Sequence, residues 1–323
     1  MRAVFYDSFG AAADVLTVGD VPTPDPGPGE VLVRLRASGV NPSDVKLRAG
    51  ARPGAVMAHP RVVPHSDGAG EIAAVGAGVE RPIGARVWVW NANWQRAFGT
   101  AAEYVCLPSE QVVDLPEGVS FEEGACLGIP AMTAAYALDG VAAGQTVLVT
   151  GGAGTVGRYA CQMARLMGAR VLTTVSSPEK AAHAGCEDWI NYREVDVPEA
   201  VMELTGGAGI DRIVDVDFAA NQNVAVACLK PGGTVAAYAS ASVMAPELQF
   251  YPLMFKDITL RMLIVYQLTG ARRQPVQARL QGWLRDGLLS HAPVDGGELE
   301  DCAAAHDRVA AGDKLGTVVL SVA

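Results

Sequence analysis

The sequence lacks the spacings that build a metal knuckle or a disulfide framework. Its six cysteines, at 106, 126, 161, 186, 228 and 302, include no C-x-x-C pair. They fall mostly in apolar runs and read as core thiols. The five histidines are equally dispersed and form no H-E-x-x-H pair. No segment approaches the roughly 18 unbroken apolar residues of a membrane span. Asp7 brings an acid too early for a signal peptide, so Met1 to Asp7 reads as a first strand of a cytoplasmic protein. Positive charge is scarce as well. A formal net charge of -10 and a pI near 5.0 oppose nucleic acid or an anionic membrane as the main partner. There is no internal repeat and no low-complexity linker. With 50% hydrophobic and 19% charged residues, disorder is excluded too.

What is present is enough chain, 323 residues, for two domains. The first 120 residues read as β-rich. Val31 to Ala37 alternates apolar and polar side chains after a Pro/Gly cluster from Pro22 to Gly29. Further strands are expected at 70–75, 86–90 and 100–105. Ser120 followed by Glu122 and Glu123 marks a helix start, leading into an Ala-rich stretch to Leu138. From Gln145 the pattern turns to alternating strand and helix. Strands are expected at 146–150, 170–175, 188–191, 210–215, 232–237 and 259–266, with helices at 156–167 and from Pro178. This alternation predicts an α/β fold with a doubly wound parallel sheet, because parallel strands need crossover connections. Residues 272–323 read as helix, loop, helix and a last strand at 317–322. They are too few for a domain and are expected to return to the β-rich part.

The strongest motif runs from Val147 to Gly157, a buried strand ending in Gly151-Gly152-Ala153-Gly154-Thr155-Val156-Gly157 and opening into a helix. Small residues let the backbone approach a pyrophosphate, and a helix N-terminus offers unpaired N–H groups. Without its setting a glycine cluster is an ordinary loop; the flanking β/α units make it a dinucleotide site. Cofactor choice is read at the end of the second strand, where NAD enzymes carry an acid. Here Ser176 stands at that position, with Lys180 in the following helix and Tyr192 and Arg193 after the third strand. Glu179 is the nearest acid and suits the helix dipole. The set predicts NADPH rather than NADH.

These motifs, in this order, resemble the zeta-crystallin-like quinone oxidoreductases of the medium-chain dehydrogenase/reductase superfamily. The matching stretches are Gly39 to Asp44, His65 to Gly70, Gly128 to Ala134, the glycine loop, and Ile190 to Glu194, so the resemblance spans essentially the whole chain. It implies a Rossmann NADPH-binding domain at 122–268 and a GroES-like catalytic domain at 1–121 and 269–323. It also implies that Asn41 faces nicotinamide and substrate and that Lys180 and Tyr192 hold the 2′-phosphate. Pro42, Thr133, Gly152, Gly154, Thr155, Val156, Ser176, Ser177, Tyr238 and Ser240 complete the expected cofactor contacts. One departure is the helix after Pro178, which at about two turns is shorter than in such enzymes and sits beside the adenosine end.

In the zinc-using relatives of that family, Cys, His and Cys surround the catalytic metal. The corresponding positions are Asn41, Ser66 and Pro130, none a customary zinc ligand. His65 is adjacent, but one imidazole without partners makes no site, so no metal is expected. Without a Lewis acid, a quinone or an α,β-unsaturated carbonyl is the expected acceptor, because its conjugation spreads the developing charge. Asn41 and Ser43 are the candidate hydrogen-bond donors. Lys46, where the family often has an aromatic residue, and Arg52 are the more speculative ones. An enoyl thioester or small enone reductase, or a nucleotide-binding protein without turnover, are the alternatives. Trp88 and Trp90 share a strand face and are expected to pack in the core, with Trp94 and Phe98 following; an aromatic wall for a flat substrate is the alternative. Phe250, Tyr251, Met254 and Phe255 form a second apolar cluster. Strand 259–266 is expected at an unprotected sheet edge, which predicts a homodimer with one continuous sheet.

Overall fold

The computed structural model describes residues 1–51, 54–312 and 314–323. Its first seven strands are β1 (Arg2–Phe5), β2 (Thr17–Asp20), β3 (Glu30–Val40), β4 (Asp67–Val75), β5 (Arg86–Val89), β6 (Tyr104–Pro108) and β7 (Val112–Asp114). Then come β8 (Thr146–Val149), β9 (Arg170–Val175), β10 (Asp188–Asn191), β11 (Ile210–Asp215), β12 (Leu229–Ala237) and β13 (Thr259–Met262). The last two are β14 (Pro293–Glu298) and β15 (Thr317–Ser321). The chain divides into two compact units, 1–129 with 284–323, and 130–283.

The β-rich unit is built on β3, which pairs with β4, β6 and β15, all antiparallel. Its sheet has the order β14-β15-β3-β4-β5-β7. The expected return of the C-terminus is observed, with Val318 opposite Val40 and Ser321 opposite Ala37. Val31, Val33 and Leu35 of β3 meet Val87, Val89, Leu107 and Leu320 in one apolar core. Burying each such side chain fully is worth about 1.5–3 kcal/mol. Trp88 and Trp90 are buried as expected. The strand expected at 100–105 instead begins at Tyr104. The residues before it serve β1, through Val4 N–H donating to the Ala101 carbonyl and a bridge between Ala3 and Ala102.

The second unit has a parallel sheet in the order β10-β9-β8-β11-β12-β13, so the strand order reverses between β8 and β11. This is the doubly wound arrangement, and ligands bind at the carboxyl ends of its strands near that reversal. Strands β9, β10 and β11 and the helix Pro178–Ala184 begin where the sequence predicts. The last parallel strand is shorter than expected, ending at Met262 before a turn of 3-10 helix at Val265–Gln267.

The Ala-rich stretch is not one helix. Ser120 caps a short turn, Phe121–Gly124, by accepting from Glu123 N–H while the Glu123 carboxylate accepts from Ser120 N–H. A wider turn, Leu127–Ala131, follows and contains Pro130, which lacks an N–H and so interrupts the ladder before the helix Met132–Ala137. The two units join at 129/130 and 283/284, beyond the expected 121/122 and 268/269. Helix Gly270–Arg285 packs with the parallel-sheet unit, burying Val276 and Leu280 and donating from Arg279 to the Ala135 carbonyl. Among the described residues, no helix is long and apolar enough to cross a membrane.

Candidate active site

The glycine loop leaves β8 at the strand-order reversal and enters the helix Thr155–Leu166. Its glycines do different work. A Cβ at Gly152 would overlap the Thr173 hydroxyl, and one at Gly157 would overlap the Gly151 carbonyl. Both positions therefore need glycine for strand and helix to pack this closely. Gly151 takes φ +66°, a left-handed conformation that glycine adopts without penalty. Gly154 is the least crowded of them, where a Cβ would have only the Gly151 carbonyl near it, at a slightly tight 3.3 Å. It is the N-cap residue and makes no side-chain cap, so the first N–H groups of a 12-residue helix keep their anion-binding capacity. Bonds from Gly151 N–H to Thr174 Oγ1 (3.1 Å) and from Gly152 N–H to the Thr174 carbonyl (3.1 Å) hold the loop.

At the end of β9, Lys180 Nζ donates to Ser176 Oγ at 3.0 Å, while Ser177 caps the next helix by accepting from Lys180 N–H at 3.3 Å. The pair expected from the sequence is thus brought together. Tyr192 follows the neighbouring strand β10, its N–H bonded to the Val175 carbonyl at 3.2 Å and half its surface exposed. The short helix ends at Gly185 in the left-handed conformation.

Sequence reasoning misses Asp215, at the end of β11. Its buried carboxylate accepts from the Thr150 hydroxyl (2.9 Å), Asn221 (2.7 Å) and Asp217 N–H (3.1 Å), and burial raises its pKa. Thr150 Oγ1 in turn accepts from Val216 N–H at 2.9 Å. This network fixes the loop root and the segment leading to Tyr238 and Ser240. Tyr238 N–H donates to the Asp215 carbonyl, and desolvation followed by the Asp215 charge pushes its phenol pKa up. Ser240 donates to the Val243 carbonyl, and Thr133 is buried in its helix.

In the β-rich unit, Asn41 caps the helix Pro42–Arg48, with Pro42 setting the first helical position. Asn41 N–H donates to Asp44 Oδ2 at 2.8 Å, and Asn41 Nδ2 donates to Asp67 Oδ2 at 2.7 Å. Ile129 N–H reaches both Asp67 oxygens, at 2.9 and 2.8 Å. Gly128 cannot carry a Cβ because it would overlap Asp67 Oδ1. All of Asn41, Asp44, Ser66 and Asp67 are buried. Desolvation raises the Asp44 pKa to about 7, against the opposing hydrogen bonds from Asn41 and Ser66. It also raises Asp67 well above the carboxylate range. Asn41 is therefore held between two acids whose ionisation burial disfavours.

Ser43 lies half-buried in the first turn of this helix. Lys46 is on its exposed side, away from the buried Asn41, Asp44 and Arg48. Arg52 lies outside the described residues. The acids Asp44 and Asp67 stand in the sequence as Asn-x-x-Asp and Ser-Asp, but nothing in one sequence marks them as buried partners. One expectation is corrected outright. His65 is not without partners, because its ring meets His306 and Cys302, which lie far along the chain.

Comparison with known proteins agrees with both units. Residues 155–281 match the family model described as zinc-binding dehydrogenase, and residues 27–117 match the alcohol dehydrogenase GroES-like domain. A quinone oxidoreductase of Pongo abelii is 32% identical over 321 residues, which is 96% of this chain and 94% of that protein. A 2-haloacrylate reductase of a Burkholderia species is 30% identical over 337 residues, 99% of this chain and 98% of that one. A mycobacterial protein solved in complex with NADPH superposes with a TM-score of 0.86 at 31% identity, each chain covered over 100%. The zinc for which the first family is named does not fit the three customary positions. Asn41 donates its amide to Asp67, Ser66 offers a hydroxyl and Pro130 has no donor atom.

Proposed function

This chain belongs to the quinone oxidoreductase family of the medium-chain dehydrogenase/reductase superfamily, and from that premise we propose that it reduces a quinone or an electron-poor alkene with NADPH. The observation that carries the cofactor half is the glycine cradle followed by the Ser176–Lys180 bond at an acid-free strand end. When bound, NADPH supplies a hydride, one hydrogen nucleus with two electrons.

The chain's own groups have separable tasks. N–H groups of Thr155, Val156 and Gly157 hold the pyrophosphate at the helix terminus. Ser176, Ser177, Lys180 and Tyr192 hold the 2′-phosphate, Lys180 turning from the serine hydroxyl to the stronger acceptor. Thr133, Tyr238 and Ser240 line the rest of the nucleotide's path. Asn41 and Ser43 donate to the oxygen that gathers charge, with Asn41 oriented by Asp67. Asp44, with a pKa of about 7 beside Asn41, supplies a proton reserve that the sequence does not suggest.

Zinc independence belongs to the same proposal, since a conjugated acceptor delocalises the incoming charge and the three customary ligand positions cannot hold the metal. The 2-haloacrylate reductase relative favours extending the substrate class from quinones to activated alkenes. A homodimer is supported by strand β13 at the sheet edge, where Met262 is 73% and neighbouring Phe255 80% exposed. A cytoplasmic location suits six unpaired thiols.

The test is NADPH oxidation against a panel of quinones, enals, haloacrylates and enoyl thioesters. Turnover with quinones or simple activated alkenes is expected. Turnover restricted to enoyl thioesters would select the alternative substrate class, and binding without any turnover would make the chain a nucleotide-binding protein.

A further inference from the structure

Within the β-rich unit, three side chains converge that the reaction does not use. Cys302 and His306 stand four residues apart on the helix Cys302–Ala311, so the helical period sets them on one face. His65 comes from the segment before β4. Its Nε2 lies 2.9 Å from His306 Nε2 and 3.7 Å from Cys302 Sγ, and the three donor atoms fall within 4.8 Å of one another. His65, His306 and Cys302 are 0%, 0% and 1% exposed.

The surroundings have the form of an outer ligand shell. His65 Nδ1 meets Ser38 Oγ at 2.9 Å, Ser38 Oγ meets Thr100 Oγ1 at 2.9 Å, and Thr100 donates to the Asp67 carbonyl at 2.6 Å. Such a chain fixes a ring's tautomer with Nδ1 protonated and Nε2 bare, the form in which imidazole binds metal. His65 is also held at φ +76°, a left-handed conformation uncommon outside glycine. His306 Nδ1 is buried without a hydrogen-bond partner among the described residues. A hydrogen-bonded imidazole pair accounts for the 2.9 Å contact alone. It accounts for neither the thiol at the same apex nor the left-handed backbone.

Metal bonds of about 2.0–2.1 Å to nitrogen and 2.3 Å to sulfur separate two nitrogens by about 3.3–3.5 Å and nitrogen from sulfur by about 3.5–3.8 Å. The sulfur contact already has that length, and the imidazoles need to part by roughly half an ångström. We propose that His65, His306 and Cys302 form a buried site for one thiophilic metal ion, with Cu(I) preferred. Three donors of this softness match a three-coordinate monovalent ion. One thiolate then neutralises it, whereas a divalent ion leaves a further positive charge in an interior that holds Arg48 near His306 and Cys302, with Asp44, an acid whose ionisation burial disfavours, on the Cys302 side. Loading is proton exchange without electron transfer. The S–H bond of Cys302 breaks and a Cu–S bond forms, the thiol proton goes to solvent, and the Nε2 proton shared by the imidazoles moves to His306 Nδ1.

All three side chains are buried, so the experiment loads the site during folding. The full chain is refolded without oxygen in the presence of one equivalent of Cu(I), desalted, and analysed for copper and for thiolate-to-copper charge-transfer absorption. Zn(II) is run in parallel. About one Cu(I) per chain is expected, retained by a Cys126→Ser control and reduced at least tenfold in Cys302→Ser. His65→Asn provides a second loss variant that tolerates the left-handed backbone, should Cys302→Ser fail to fold. Wild-type protein that folds and keeps no Cu(I), prefers Zn(II), or keeps as much Cu(I) in the His65→Asn variant would overturn the proposal.

Discussion

Two glycines of one loop separate stability from cofactor affinity. In Gly157→Ala the new methyl meets the Gly151 carbonyl and the Gly152 backbone, neither of which can rotate away. The helix must lift from β8, at about 2–3 kcal/mol, the upper part of the overpacking range because the clash is with backbone, offset by about 1 kcal/mol from alanine's better helix propensity. The net destabilisation of about 1–2 kcal/mol lowers Tm by a few degrees, at about 2–4 °C per kcal/mol. Gly154 has extended dihedrals, φ −72° and ψ 162°, that alanine adopts freely, and its nearest neighbour stays 3.3 Å away. Gly154→Ala is therefore expected to cost at most about 1 kcal/mol, mainly because alanine is a poorer N-cap than glycine, and to melt within about 4 °C of wild type. Its methyl stands on the open face where the pyrophosphate must approach, so NADPH affinity should fall at least tenfold, about 1.4 kcal/mol. Thermal melts and calorimetric NADPH titrations on both variants check this. A Gly154→Ala protein that binds NADPH within twofold of wild type, or a Gly157→Ala protein as stable as wild type, would show this division of labour to be wrong.

Lys180→Ala should weaken NADPH by about 1–3 kcal/mol and leave NADH nearly unchanged; equal losses in the two titrations would remove Lys180 from the 2′-phosphate site. Asp44 has its pKa raised by burial to about 7, so the folded state holds its proton more tightly than the unfolded chain does. Stability from this group is full below about pH 4 and falls as pH rises towards 7, by at most about 1.4 kcal/mol per pH unit. Asp44→Asn should flatten that part of a Tm-versus-pH curve, and an unchanged slope would show that Asp44 titrates normally. At the sheet edge, Leu263 N–H already donates to the Ala237 carbonyl of β12, so a proline there would break an internal bond. Alternation directs Met262 N–H outward instead. Met262→Pro should shift sedimentation from dimer to monomer while the melt is kept, and a wild-type monomer at micromolar concentration would contradict the dimer.

The parallel-sheet unit is the most legible part of the sequence, and for a physical reason. Buried parallel strands such as 146–149, where Val147, Leu148 and Val149 follow one another, are apolar runs closed by turn residues, so their ends are marked. The proposed nucleotide half-site is legible for the same reason, since its glycines, Ser176 and Lys180 all lie between β8 and the helix after β9. Where partners are distant in sequence the signal fails. Asp67 is bonded to Asn41 and to Ile129, and His65 to His306, across separations no local pattern reports. The Cys302-x-x-x-His306 spacing is a usable helical signal, but its third member comes from another segment. The break in the Ala-rich helix is written in Pro130, whose missing N–H outweighs the propensity of the alanines around it. Apolar content overextends strand β13, because it does not say where a strand leaves its ladder.

Hydride transfer from NADPH to a conjugated acceptor, without a metal at the reacting group, leaves an isotopic trace. The measurement uses NADPH deuterated at nicotinamide C4, prepared in each of the two configurations, and a 2-haloacrylate or simple enone in the presence of a strong chelator. Mass spectrometry and NMR of the product should find one deuterium, delivered from one of the two labelled cofactors, on the carbon β to the electron-withdrawing group. Product formed without deuterium from either cofactor, or product formation abolished by the chelator and restored by zinc, would contradict it.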